Sequence, residues 1–568
     1  MPRCALPMLA LLNSAAGAPA GAPTLAPPQT FERHAVVSES ALASEIGAKV
    51  LEDGGNAVDA AVATAFALAV VHPAAGNLGG GGFLLVAFPD GRATSFDFRE
   101  AAPLAATEGM FLDAAGNYSP ERHHEGILSV GVPGTVAGLH LAHERLGRLP
   151  WRRLVEPSVE LAAKGFRVTP RLSRSIAEEI ERIRRHPATL ARFAPGGRPL
   201  EPGQLFVQED LARSLERIRD GGAEGFYEGE TARLLLREVE RRGGLIRAED
   251  LRRYRAVERA PLKRAYRGYE VVSMPPPSSG GAAVLEMLGI LSGYDLAALG
   301  PSGWKAPHIM IESMRRAFAD RARCLGDPDQ VEIPLEELLS DERAAALRRT
   351  IHPERASRST PESFSWPEAG GETTHLSVLD GDLMAASLTT TLEASFGCAI
   401  LVEGAGFLLN NEMGDFNPKR GLTTADGLIG TAPNLVAPGK RMLSSMAPTI
   451  VLRDGKPRLV LGSPGGRTII NTVLEVIVNS LDHGMPIQEA VDRPRFHHQW
   501  LPDEVLAEPG CFSPEEIAAL EKAGHAVRTR PSPQGSVMAI AVVEAGGGTR
   551  RLEAGVDRRR GGAAAAGR

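Results

Sequence analysis

The chain has 568 residues, 43% of them hydrophobic and 5% aromatic, with a formal net charge of −6 at pH 7. That hydrophobic share supports a large core and excludes a mainly disordered chain, and the scarcity of aromatics leaves the core to Ala, Val, Leu and Ile. The charge balance gives no basis for nucleic acid or an anionic membrane as a partner.

Residues 1–30 read as a leader. Arg3, the apolar run Ala5–Leu12 and the small residues Ser14–Ala18 resemble an export signal, which implies a periplasmic or secreted destination; an Ala/Pro/Gly leader in a cytoplasmic protein fits the same residues. The cysteines Cys4, Cys324, Cys398 and Cys511 form no CxxC and no zinc spacing. His123-His124 and His497-His498 are adjacent pairs, which rarely face one metal together, and no HExxH occurs, so neither a metal nor another cofactor is expected.

Ser38–Leu51 reads as a helix with Ser40 as its N-cap and Gly54-Gly55 as its stop. Ala57–Val71 is apolar but carries Asp59, and reads as a buried helix; no segment reads as a membrane span. The run Gly79-Gly80-Gly81-Gly82 follows a helix and opens a strand, Phe83–Phe88. A dinucleotide loop has the opposite order, so the glycines indicate close backbone approach. Pro89-Asp90-Gly91 turns the chain into a second strand, Ala93–Phe98, which ends at Arg99-Glu100. Residues 150–260 show amphipathic helical spacing with Arg-rich polar faces. The turn Met274–Gly281 leads into a helix over Ala282–Leu291, and another helix spans Met310–Leu325 with Ile311, Met314 and Phe318 on one stripe.

From Thr373 onward short strands dominate: His375–Leu379, Leu383–Leu392, Ala399–Val402, Thr449–Leu452 and Arg458–Gly462, followed by a helix over Ile469–Leu481. Arg558–Arg568 reads as a frayed tail. Helices and strands on both sides of Thr373 point to one layered α/β body.

The stretch Glu372-Thr373-Thr374-His375-Leu376-Ser377-Val378 alternates polar and apolar residues as a half-buried strand does. The Gly/Pro-rich run Ser359–Gly371 precedes it. A loop feeding a strand that begins with Thr suggests a cut between Glu372 and Thr373. Such a cut would give Thr373 a free α-amine beside its hydroxyl, a nucleophile with its own base. A Thr-rich strand alone needs no such explanation. Further motifs do: Thr389-Thr390-Thr391-Leu392-Glu393, Leu408-Leu409-Asn410-Asn411-Glu412-Met413-Gly414-Asp415-Phe416, Leu443-Ser444-Ser445-Met446, Gly462-Ser463-Pro464-Gly465-Gly466 and Arg495-Phe496-His497-His498-Gln499-Trp500.

In these motifs and their order, from about residue 35 to 557, the chain resembles the γ-glutamyltransferase (glutathione hydrolase) family of N-terminal-nucleophile hydrolases. The resemblance implies an α+β fold, a four-layer αββα sandwich built from two chains after self-cleavage. The large subunit would be 31–372 and the small subunit 373–568. It implies Thr373 as nucleophile, Thr391 as the group orienting its hydroxyl, and Gly465 and Gly466 as backbone donors to an oxyanion. Arg99, Ser444 and Ser445 would hold the α-carboxylate of a γ-glutamyl donor, and Glu393, Glu412 and Asp415 would surround its ammonium. The implied partners are glutathione and related γ-glutamyl compounds as donors, water, amino acids or dipeptides as acceptors, and the two subunits for each other.

The sequence departs from the family pattern in three places. Position 393 is Glu where many relatives carry Asn, and position 412 is Glu where some carry Gln. The run 417–434 resembles a lid loop, with Asp426 at a tip where an aromatic residue is common. Two alternatives stand beside this reading: a glutaryl or cephalosporin-type acylase of the same fold, and a homologue that neither cuts itself nor turns over.

Overall fold

Alternation along Glu372–Leu379 sets the layering of the molecule. Leu376 and Val378 point into a core shared with the helices Ala41–Glu52 and Ala57–Val71. His375 and Ser377 point the other way, where the Ser377 hydroxyl donates to the Met538 carbonyl at 3.0 Å and the His375 ring lies against Gly462. One strand therefore faces a helical layer on one side and a second sheet on the other. The protein is seen here in a computed structural model that describes residues 27–360, 372–545 and 549–568, with the side chains of Glu372 and Ala545 excluded. The leader's first 26 residues and the greater part of the Gly/Pro-rich run before Glu372 lie outside the described residues.

Among the described residues two seven-stranded antiparallel sheets form the centre. Edge to edge, the first runs Ala564–Gly567, Ala35–Ser38, Glu372–Leu379, Ala385–Glu393, Gly81–Ala87, Ala93–Phe98 and Val257–Arg259. The second runs Gln29–Phe31, Thr549–Val556, Met538–Ala545, Lys456–Gly462, Thr449–Arg453, Tyr269–Ser273 and Leu262–Tyr266. Val37, Leu85 and Leu379 of the first meet Ile450, Val460 and Ile540 of the second in an aliphatic core between them. The helices Ser279–Leu291, Lys305–Cys324 and Thr468–Leu481 cover the outer face of the second sheet. The result is the four-layer αββα sandwich, and strands from both sides of Thr373 interleave within it.

Ala57–Val71 is buried along its whole length, which accounts for its lack of a polar stripe. Its one carboxylate has a local role: Asn56 accepts from Val58 and Asp59 N–H groups, and the Asp59 carboxylate accepts from the Asn56 N–H at 3.0 Å, a reciprocal cap. No helix among the described residues is long and apolar enough to cross a membrane.

Three expectations need correction. Ala399–Val402 is not a strand; Ala399 takes φ +58°, which ends extended structure, and only an isolated bridge joins Leu401 to Leu408. The helix expected from Met310 begins at Lys305. Arg558–Arg568 is not frayed: Ala564–Gly567 pairs with Ala35–Ser38, and the Arg568 carbonyl accepts from the N–H groups of Glu32, Arg33 and His34. The small side chains let this edge strand lie against Ala41–Glu52, where the Ser44 hydroxyl donates to the Ala564 carbonyl at 2.8 Å. Arg559 is fixed by the Asp557 carboxylate and the Val491 and Asp492 carbonyls.

Candidate active site

Antiparallel register brings the two threonines together. Thr373 lies directly opposite Thr391, and the following residues stay in step to Leu379 opposite Ala385. At the mouth of the pair the register slips, so that Glu372 faces Glu393 and Leu392 is extra. This bulge turns the Glu393 backbone to φ +75°, a region unfavourable for a non-glycine residue. Gly80 and Gly82 lie so close to the Thr389–Thr391 strand that added Cβ atoms would stand 2.0 Å from the Thr391 carbonyl and 2.3 Å from the Thr389 carbonyl. The four-glycine run thus serves close strand approach beneath the site.

Thr373 shares the face of His375 and Ser377 and looks toward the second sheet. There the strand Lys456–Gly462 ends and the chain turns through Gly465 (φ +135°) and Gly466 (φ +57°) into the helix Thr468–Leu481. The Thr468 hydroxyl donates to the Gly465 carbonyl at 2.8 Å, and the Ile469 N–H to the Gly466 carbonyl at 3.1 Å. Ser463 braces the turn by accepting from the Ser536 N–H at 2.9 Å.

One small cavity is lined by Thr373, Thr391, Gly466, Arg99, Glu393, Glu412, Asp415, Ser444 and Ser445, with Met446, Arg467 and Ile469 completing the wall. Gly465 faces a neighbouring cavity instead. Every other residue singled out for the site converges on this one space. No residue of 417–434 lines it, and Asp426 is exposed.

The charged end differs from expectation in its pairing. The Arg99 guanidinium is fully buried and binds the carboxylates of Glu412 and Asp415 directly, with Glu100 at 3.5 Å and its Nε donating to the Met442 carbonyl at 3.2 Å. The acids expected around an ammonium therefore also neutralise the expected carboxylate clamp. Burial, followed by the Glu412 charge, pushes Glu100 well above the carboxylate range. Burial raises Glu412 to about 7, against the opposing pull of Arg99 and with Asp415 adding to the rise. Burial and then Asp415 and Glu412 hold Glu393 well above its usual range. The Asn411 amide donates to the Glu393 carboxylate, while Asn410 ties Glu412 and Gly131 N–H groups to one carbonyl oxygen at 3.1 and 2.8 Å.

The serine pair rests on the turn Met274–Gly281. The Ser279 N–H and hydroxyl both donate to the Ser444 carbonyl, at 2.7 and 2.5 Å. Buried Arg321 donates to the Ser279 hydroxyl at 2.5 Å and to the Ser445 hydroxyl at 2.9 Å. Arg321 and Glu100 were not among the residues expected at the site. Arg321 continues the stripe Ile311, Met314 and Phe318 at helical spacing, so an arginine on an apolar face was the available signal. Glu100 had none beyond its place beside Arg99.

His497 and His498 have structural partners: His497 meets the Asn471 amide at 2.7 Å, and His498 meets Asp503 at 3.2 Å.

Known proteins resemble this chain over most of its length. The glutathione hydrolase proenzyme of Escherichia coli K12 is 45% identical over 513 residues, covering 89% of this chain and 88% of that protein. The cephalosporin acylase from Bacillus halodurans superposes with a TM-score of 0.85 at 27% identity, covering 98% of this chain and 99% of that one. Helicobacter pylori gamma-glutamyltranspeptidase superposes with a TM-score of 0.56 at 42% identity, covering 60% of this chain and 95% of that one. The sequence profile described as Gamma-glutamyltranspeptidase matches residues 43–567, so with Thr373 opposite Thr391 beside a glycine turn and a buried arginine–carboxylate set, this chain belongs to the gamma-glutamyltranspeptidase family.

Proposed function

We propose that the chain cuts itself between Glu372 and Thr373 and then acts as a γ-glutamyltransferase and glutathione hydrolase outside the cytoplasm. The observation that carries this reading is the pairing of Thr373 with Thr391 at the mouth of a cavity whose far end holds Arg99, Ser444 and Ser445. The chain is continuous from Glu372 into Thr373 here, so the α-nitrogen of Thr373 is still an amide.

In the first step the Thr373 hydroxyl attacks the Glu372 carbonyl carbon. The C–N bond breaks, its nitrogen gains a proton, and an ester links Glu372 to the Thr373 oxygen. Water opens that ester, leaving a Glu372 carboxylate and a Thr373 with both hydroxyl and α-amine free. Such an amine titrates near ~7.7–8.0, so it can take the hydroxyl proton at neutral pH.

In turnover the same oxygen attacks the γ-carbonyl of the donor. The proton passes through the α-amine to the leaving amine, and a γ-glutamyl ester remains on Thr373. Water or the amine of an amino acid or dipeptide then resolves it. Thr391 orients the hydroxyl, and the turn Gly465-Gly466, of which Gly466 lines the catalytic cavity, supplies backbone N–H groups to the oxyanion. The donor carboxylate binds Arg99 and the serine pair, drawing Arg99 away from part of its hold on Glu412 and Asp415. Those acids, with Glu393, are then left to face the donor ammonium.

The fold similarity to a cephalosporin acylase keeps a glutaryl substrate as the second reading. A glutaryl chain lacks the ammonium, so Glu393, Glu412 and Asp415, which line the cavity together with Arg99 and Arg467, would gain no cation from it. One experiment separates the readings. Wild type and Thr373→Ala are expressed, and each is assayed on γ-glutamyl-4-nitroanilide and glutaryl-4-nitroanilide. The expected result is a cut wild type that turns over the γ-glutamyl anilide and an uncut, inactive Thr373→Ala. A mature protein without a terminus at Thr373, or faster turnover of the glutaryl anilide, rejects the proposal.

A further inference from the structure

Arg99 is the expected holder of the donor's α-carboxylate, yet Glu412 and Asp415 already bind its guanidinium and Glu100 stands 3.5 Å away. A carboxylate arriving there meets three acidic side chains as well as one arginine. The serine pair Ser444-Ser445 lines the same cavity as Thr373 and Arg99, and the direction of its hydrogen bonds shows how an anion can still be held. A serine hydroxyl carries one proton and two lone pairs, so by itself it serves a donor or an acceptor equally.

Both serines are met from behind by donors. The Met446 N–H donates to the Ser444 hydroxyl oxygen at 3.1 Å, and buried Arg321 donates to the Ser445 hydroxyl oxygen at 2.9 Å. A guanidinium has donors only, so Ser445 must accept at this contact. Its own proton points elsewhere, and among the described residues neither serine hydroxyl donates to a protein acceptor. The same guanidinium supports the backbone of the pair. Its Nε donates to the Ser279 hydroxyl at 2.5 Å, and Ser279 gives its hydroxyl proton and its N–H to the Ser444 carbonyl at 2.5 and 2.7 Å. One residue of the helix Lys305–Cys324 thus reaches both serines across the fold. Burial and then the Arg467 charge hold Arg321 well below the ordinary arginine value, and Asp415 opposes them. A guanidinium keeps its charge at neutral pH, so an anion seated on Ser445 also stabilises a buried cation.

We propose that Arg321 is a positioning residue for donor recognition: by occupying the acceptor side of Ser445 and anchoring Ser279 beneath Ser444, it turns the serine hydroxyls into donors and restricts that end of the cavity to an anionic group. This rests on the γ-glutamyl transfer proposed above. A donor whose α-carboxylate is replaced by a carboxamide has nearly the same shape but no charge, and its NH2 group needs acceptors where the pair presents protons. Without Arg321 the Ser445 hydroxyl can turn and accept, and the two donors become harder to tell apart.

The test compares γ-glutamyl-4-nitroanilide with the same anilide carrying an α-carboxamide, each measured on one preparation of wild type, Arg321→Gln and Arg321→Lys. The ratio of kcat/KM for the two donors does not depend on how much of the protein folds, and self-cleavage reports an intact nucleophile end. Wild type is expected to favour the carboxylate donor by roughly 100-fold. Arg321→Gln is expected to cut that ratio roughly tenfold, through a higher KM for the carboxylate donor and little change for the carboxamide. Arg321→Lys keeps a charged donor but cannot span both hydroxyls, and its ratio is expected between the other two. Equal losses on both donors in Arg321→Gln would show that the residue only supports the fold and would overturn the inference, as would a wild-type ratio in that variant. A wild type that turns over neither donor would instead reject the γ-glutamyl reading itself.

Discussion

The two ends of the catalytic cavity are built on different principles. At the nucleophile end, position comes from backbone: strand register sets Thr373 against Thr391, and two glycines with positive φ turn the chain beside them. At the donor-recognition end, position comes from charge. Arg99 is buried among Glu100, Glu412 and Asp415, and its charge opposes the burial that raises Glu100 and Glu412. The contrast matters because backbone geometry is insensitive to pH and salt but intolerant of added atoms. A coupled charge set tolerates changes of shape but responds to every proton.

The largest effect should follow from adding one atom at the backbone end. A Cβ on Gly465 would stand 2.8 Å from the Thr468 hydroxyl at φ +135°, so Gly465→Ala must move the turn that carries the expected oxyanion donors. Loss of one such donor costs roughly 10²–10³ in kcat. The expected outcome is a fall of about that size in kcat on γ-glutamyl-4-nitroanilide, with KM changed far less. Wild-type kcat in a folded Gly465→Ala protein would remove the turn from the oxyanion role.

At the charged end a conservative change should cost less. Arg99→Lys keeps the charge but loses the planar fork that spans Glu412 and Asp415. A hydrogen bond to a charged group contributes about 1.5–3 kcal/mol, which predicts a loss of roughly 10- to 100-fold in kcat/KM for γ-glutamyl donors, carried mainly by KM. Self-cleavage needs no donor carboxylate and should persist. A variant that loses self-cleavage as well would show Arg99 acting on the nucleophile end, and the division between the two ends would fail.

The same contrast explains what could be read from the chain alone. Ala57–Val71 and Ala93–Phe98 were placed to the residue, because helix and strand periodicity are local properties. The site residues were found because their motifs occur in one recognisable order. Their contacts were not legible. Nothing in the spacing of Arg99, Glu412 and Asp415 says that the acids bind the arginine, since that depends on how three distant segments pack. The backbone strain at Glu393 arises from a one-residue slip between strands, which no single-strand pattern encodes. Arg321 was hidden because a helix stripe that ends in arginine usually reaches solvent, whereas here it meets Ser279 and Ser445. The tail was misread because Ala-rich sequence near a terminus has no polar–apolar alternation, although its small residues suit an edge strand lying on a helix.

The smallest effect, and the most informative about coupling, belongs to Glu393, which stands where the two ends meet. Its backbone at φ +75° suits Asn better than Glu, and strain of this kind costs on the order of 1 kcal/mol. Its carboxyl is held well above the usual range, chiefly by burial and then by Asp415 and Glu412. A carboxyl whose folded value is raised contributes stability that is fully present below its unfolded value and is lost as pH rises through the folded one. Glu393→Asn removes both liabilities. The relief of strain should be the same at every pH, while the relief of the buried acid should grow from pH 5 to pH 8. The expected outcome is a thermal midpoint above wild type at both values, with the larger difference at pH 8. Donor KM supplies the second reading. Glu412 sits at about 7, so in wild type KM should climb as pH falls below neutrality, because protonated acids no longer attract the donor ammonium. Removing one acid from the set should move that rise to lower pH. A stability gain of equal size at both pH values, together with superimposable KM curves, would show that Glu393 is strained but electrically apart from Glu412 and Asp415, and the charged end would then reduce to Arg99, Glu100, Glu412 and Asp415.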